Sequence, residues 1–102
     1  MPPSDNLERS TSADPFQYTF APDFKLTYTN FVQGLFSPLD LGLMCGEVVG
    51  AEGKNAVQWK IKLTMSPAEA KIVHRILSNL LRNYEKAFGD ISVPAGLMPD
   101  EQ

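Results

Sequence analysis

A chain of 102 residues, 43% hydrophobic and 21% charged, has the make-up of one soluble globular domain. One cysteine and one histidine exclude an internal disulfide and the usual zinc spacings, and a net charge of −3 lacks the strong basicity typical of nucleic-acid binders. No stretch approaches the ~20 apolar residues of a membrane helix, Met1 to Ser12 lack the basic start and apolar run of a signal peptide, and the unpaired Cys45 fits a reducing compartment, so the expected location is the cytoplasm.

The opening "MPPSDNLERSTSADP" is polar and without period, which predicts a disordered tail over residues 1–15. Phe16, Tyr18 and Phe20 alternate in "PFQYTF", the pattern of an extra edge strand. In "FKLTYTNFVQGLF" (Phe24 to Phe36), Phe24, Leu26, Tyr28, Asn30 and Val32 alternate with a second set, and the density of aromatic and β-branched residues predicts a strand. "SPLD" (Ser37 to Asp40) is a turn. The stretch "LDLGLMCGEVVG" then alternates again, with Leu39, Leu41, Leu43 and Cys45 on one face. Gly42, Gly46 and Gly50 recur along it, a spacing that marks strong twist, a bulge or a close approach to bare backbone. After a turn in "AEGKN" (Ala51 to Asn55), "AVQWKIKLTM" is the cleanest strand: Val57, Trp59, Ile61, Leu63 and Met65 face one way, Gln58, Lys60, Lys62 and Thr64 the other. Three strands joined by short turns make an antiparallel meander.

A helix follows in "SPAEAKIVHRILSNLLRNYEKAFGD". Ser66 is its N-cap, Pro67 its first residue and Glu69 the third member of a capping box. Val73, Ile76, Leu77, Leu80, Leu81, Tyr84 and Phe88 form one apolar stripe at three- and four-residue steps, and Gly89 terminates it. About 23 helical residues run ~34 Å, longer than a three-stranded sheet is wide, so part of the stripe would overhang a single copy. The last segment, "SVPAGLMPDEQ", holds two prolines and predicts a flexible tail over 92–102. Roughly 70 residues then remain to fold, a size at which one core supplies only ~3–5 kcal/mol; both arguments predict a homodimer or a higher multiple, joined through the sheet edges, the overhanging helix, or both.

Charge is unevenly spread. Residues 54–86 carry seven Lys or Arg against two Asp or Glu, whereas residues 1–53 carry two against seven. Lys71, Arg75, Arg82 and Lys86 lie opposite the apolar stripe, and Lys60 and Lys62 lie on the third strand. A solvated helix face is the simplest reading; attraction of that face to an acidic partner or to the protein's own acidic tails, and phosphate binding that also uses Lys60 and Lys62, are the functional ones. Chemistry is poorly represented. Neither nucleotide-loop motif occurs, His74 lacks an acid or nucleophile at a suggestive spacing, and Cys45 belongs to an inward face where it acts as a small hydrophobe. The expectation is a protein that is not an enzyme and uses no cofactor and no metal.

Taken in order, "YTN" (Tyr28 to Asn30), "SPLDLGLMCG" (Ser37 to Gly46), "KLTMSPAEAK" (Lys62 to Lys71) and "NLLRNYEKAFGDI" (Asn79 to Ile91) resemble the small bacterial and archaeal proteins of domain-of-unknown-function family 3467. The resemblance covers roughly residues 26–93, and its closing motif is the most specific part. Cys45 departs from the pattern, where an aromatic residue is more usual. The resemblance implies a compact cytosolic ββ(β)α protein without known cofactor, and it brings no activity. Its motif positions are Asn30, Ser37, Asp40, Tyr84, Glu85 and Gly89. Ser37 and Asp40 read as turn chemistry, Tyr84 and Phe88 as helix-to-sheet packing.

The expected fold is therefore α+β: a three- or four-stranded antiparallel meander and one long C-terminal helix in a single domain over 16–91, dimerising. The expected role is a non-catalytic interaction or assembly module, adaptor-like or chaperone-like, with itself or another protein as partner and no membrane. The alternative is a nucleic-acid-associated protein using the basic residues of the helix and third strand.

Overall fold

The computed structural model describes residues 15–51 and 54–99. The predicted N-terminal tail therefore falls almost entirely outside the described residues, as do Gly53 of the predicted turn and the end of the C-terminal tail. Three strands, β1 (Phe31–Phe36), β2 (Leu41–Ala51) and β3 (Lys54–Met65), are followed by one helix, α1 (Pro67–Phe88). The sheet is antiparallel in the order β1-β2-β3, so the predicted three-stranded α+β meander is the architecture found.

The segment preceding β1 differs from its sequence pattern. Phe16–Phe20 form no fourth strand, and Phe24–Thr29 form no strand either. Instead, residues 28–30 are fastened to the sheet one group at a time. The Asn30 N–H and the Thr29 hydroxyl both donate to the Gly46 carbonyl, at 3.0 and 2.7 Å. Asn30 Oδ1 accepts from the Val48 N–H at 2.9 Å, and Lys60 Nζ donates to the Tyr28 carbonyl at 3.3 Å. Side chains thus satisfy strand groups that a longer β1 would have paired.

The turn between β1 and β2 uses Ser37 and Asp40 as predicted. Ser37 N–H donates to the Asp40 carbonyl at 2.9 Å, Ser37 Oγ accepts from the Leu39 and Asp40 amides, both at 3.2 Å, and donates to Asp40 Oδ1 at 3.0 Å. Leu39 sits in this turn and is exposed, so the inward set on β2 begins at Leu41 rather than Leu39.

A bulge interrupts the β2–β3 ladder at Cys45/Gly46. Cys45 pairs with Ile61 but Gly46 pairs with Trp59, leaving Lys60 as the extra residue. Because side chains alternate across a strand, one added residue moves everything before it to the other face. Ile61, Leu63 and Met65 share the inner face with Val32, Gly34, Phe36, Leu41, Leu43 and Cys45. Trp59 and Val57 do not; this corrects the single-face reading of β3. The Trp59 ring lies on the outer face over Gly46, 5.8 Å from the Phe31 ring in edge-on geometry. The predicted role of the glycine series is realised at Gly46, where bare backbone admits the indole.

Helix α1 begins and ends as its sequence dictates. Ser66 Oγ accepts from the Glu69 N–H at 3.1 Å. At the other end the Gly89 N–H donates to the Glu85 carbonyl at 2.9 Å, Gly89 adopts φ of 101°, and Glu85 Oε2 accepts from the Ile91 N–H at 2.9 Å. Residues 92–99 contain a turn but neither helix nor strand.

Candidate functional site

Burial is concentrated on the central strand. Among the described residues only Gly42, Cys45 and Gly46 are buried, and no residue of α1 is. The inner face of the sheet and the apolar stripe of α1 meet only at one end, where a cavity of about 470 Å³ separates them. Gly34, Phe36, Leu41, Leu43 and Met65 wall it from the sheet, with Ala70, Val73, His74 and Leu77 from the helix. Beyond Leu77 a second hollow, of about 350 Å³, is lined among the described residues by Leu77, Leu80, Leu81, Tyr84 and Ile91, with no strand residue.

This overturns the packing role expected for two motif residues. Tyr84 is 52% exposed and Phe88 76%; their rings meet in a tilted pair, centroids 5.0 Å apart, rather than settling on the sheet. From Leu77 to Phe88 the helix rises ~16 Å, and among the described residues no strand residue lines the hollow along that half.

The six basic candidates do not form one surface. Lys71, Arg75, Arg82 and Lys86 are exposed along the side of α1 away from the stripe, and Arg82 donates to Asn79 Oδ1 at 2.6 Å. Lys62 lies on the outer face of the sheet, beside Gly42, opposite the face that α1 approaches. Lys60, the bulge residue, is engaged by Glu47 Oε1 at 3.2 Å and by the Tyr28 carbonyl. Such a half-exposed ion pair contributes well under ~1 kcal/mol, but together the two contacts turn Lys60 toward the segment before β1.

His74 is exposed and borders the 470 Å³ cavity together with a more open hollow of about 600 Å³ beside Lys71 and Arg75. Cys45 is buried at 5% exposure, its thiol 3.7 Å from the Leu43 carbonyl. Among the described residues no three His, Cys, Asp or Glu side chains are grouped so as to hold a metal ion, and no helix is long and apolar enough to cross a membrane. The feature with most surface to offer is the apolar one: the ridge of α1, the cavity at its root, and the adjoining edge of β1. Sequence reasoning found the ridge through helix length and named the sheet edges in general, but the alternation before Phe31 made β1 look twice as long.

No curated protein and no solved structure matches the chain. The sequence model of a family described as a protein of unknown function (DUF3467) matches residues 7–93. That span takes in the whole sheet, the helix and the Tyr-Glu-x-x-Phe-Gly ending whose Glu85 and Gly89 close α1. The chain therefore belongs to the DUF3467 family.

Proposed function

We propose that this protein is a non-catalytic interaction module that works as a homo-oligomer in the cytoplasm, as an adaptor or chaperone-like factor. The observation that carries this reading is the stripe of α1, which has seven large apolar residues and no buried one. Burying a large apolar side chain fully contributes ~1.5–3 kcal/mol. Covering Leu77, Leu80, Leu81, Tyr84 and Phe88, each already partly shielded, would add of order 5 kcal/mol before the costs of association. Contiguous apolar surface on this scale marks an interaction site in soluble proteins. The unpaired Cys45 supports a reducing compartment.

Native mass spectrometry of the full-length protein at low micromolar concentration tests this reading, with a Leu77→Asp/Leu81→Asp double variant beside it. Both leucines are half-exposed in the single chain, so the substitutions remove no core. The expected result is a dimer or higher multiple for the native sequence and a folded monomer for the variant. A native protein that stays monomeric throughout would overturn the reading. The second reading, a nucleic-acid-associated protein, draws on the four exposed cations of α1. Co-purifying nucleic acid, released by Arg75→Glu/Arg82→Glu and with a flattened salt dependence, would put it first.

A further inference from the structure

The proposal above leaves open how two copies meet, and the inference that follows rests on it. The two edges of the sheet are unlike. β3 carries Lys60, Lys62 and a bulge, features that discourage strand pairing. β1, "FVQGLF", has no charge and no proline, and among the described residues no strand lies beyond it.

The phase of its ladder is fixed. Ser37 and Asp40 extend the β1–β2 register, and the bond from the Ser37 N–H to the Asp40 carbonyl makes them a hydrogen-bonded pair. Such pairs alternate along antiparallel strands. Leu35 and Gln33 therefore point their backbone groups at β2, while Val32, Gly34 and Phe36 point theirs at the open edge. Those three residues are symmetric about Gly34.

We infer that two copies join through β1 in antiparallel register about a two-fold axis at Gly34, giving one six-stranded sheet. In that register Gly34 pairs with Gly34 of the second copy and Val32 with Phe36, so all outward N–H and C=O groups of the three are satisfied. An axis normal to the sheet keeps both inner faces on one side. It therefore places both helices on that side, next to one another above the join. The cavity at the root of α1, walled by Gly34 and Phe36, lies at this axis, and the overhanging half of each helix gains a surface beneath it.

The area is sufficient. Phe36, at 88% exposed, Val32, Leu77, Leu80, Leu81, Tyr84 and Phe88 together present of order 700 Å² per copy, close to the ~800 Å² per partner of a standard interface. Among the described residues nothing lies within 4 Å of where a Cβ on Gly34 would sit, so they leave that spot open.

Cross-linking tests the register. Cα atoms of a hydrogen-bonded antiparallel pair are ~5.5 Å apart, within disulfide range. Gly34→Cys in full-length protein should form an intermolecular disulfide under mild oxidation in most of the chains, whereas Ser78→Cys on the outer side of α1 should not. Native mass spectrometry of reduced Gly34→Cys monitors whether the variant retains the assembly state of the native protein. If Gly34→Cys stays assembled but does not cross-link, the β1 join is wrong and self-association stands. A native protein that is monomeric overturns both.

Discussion

A methyl group at Gly46 would lie 2.6 Å from the Gln58 carbonyl oxygen and 2.9 Å from Cε3 of Trp59, distances that only a shift of backbone and indole can relieve. Gly46→Ala is therefore expected to destabilise the protein by about 1–3 kcal/mol, read as a lower urea midpoint. Gly50→Ala, where no heavy atom of the described residues lies within 4 Å, should be neutral or slightly stabilising. Equal effects at the two positions would reject the close-approach explanation. The same residue shows what a sequence can and cannot disclose. The glycine announced a bulge, yet the residue that bulges is Lys60 on the neighbouring strand. Lys60 sits between Trp59 and Ile61, with the polar Gln58 and Lys62 one step beyond, so the run Val57, Trp59, Ile61, Leu63, Met65 reads as unbroken alternation. Nothing within β3 marks where the phase slips; that information resides in the pairing.

At the scale of elements, α1 was the most legible part of the chain because its ends are set by local chemistry. Ser66, Pro67 and Glu69 start it and Gly89 stops it within a residue of where the sequence places them. Removing the Ser66 hydroxyl with Ser66→Ala should cost about 1 kcal/mol, seen as a reduced helical circular dichroism signal and an earlier thermal transition. An unchanged transition would mean that packing with a second copy, and not the cap, fixes the start. The segment before β1 was the least legible. Phe24, Leu26 and Tyr28 alternate as a strand would, but Thr29 and Asn30 hand their side chains to β2 and thereby take the place of ladder pairs. Alternation reports which residues share a side in an extended chain; it does not report whether a neighbouring strand is there to receive them.

For the molecule as a whole, the imbalance between apolar surface and burial makes concentration a structural variable. Isolated helices are marginal in water, and α1 draws little cover from its own sheet. A dimer's stability is tied to protomer concentration. Tenfold dilution should thus lower the thermal midpoint by about 3–5 °C, with Leu77→Asp/Leu81→Asp removing the dependence. A midpoint that does not move over a hundredfold range of concentration would show that single copies are self-sufficient.

The strands follow one another in space as they do along the chain, β1 to β2 to β3, and α1 comes after all three in sequence. During synthesis both hairpins can therefore close before α1 leaves the ribosome, since every strand pairing joins neighbours in sequence. The helix arrives last, onto a finished sheet whose apolar face it covers only in part. If two copies join as proposed, a newly made chain stays exposed until it meets another, and chains made side by side on one message would meet soonest.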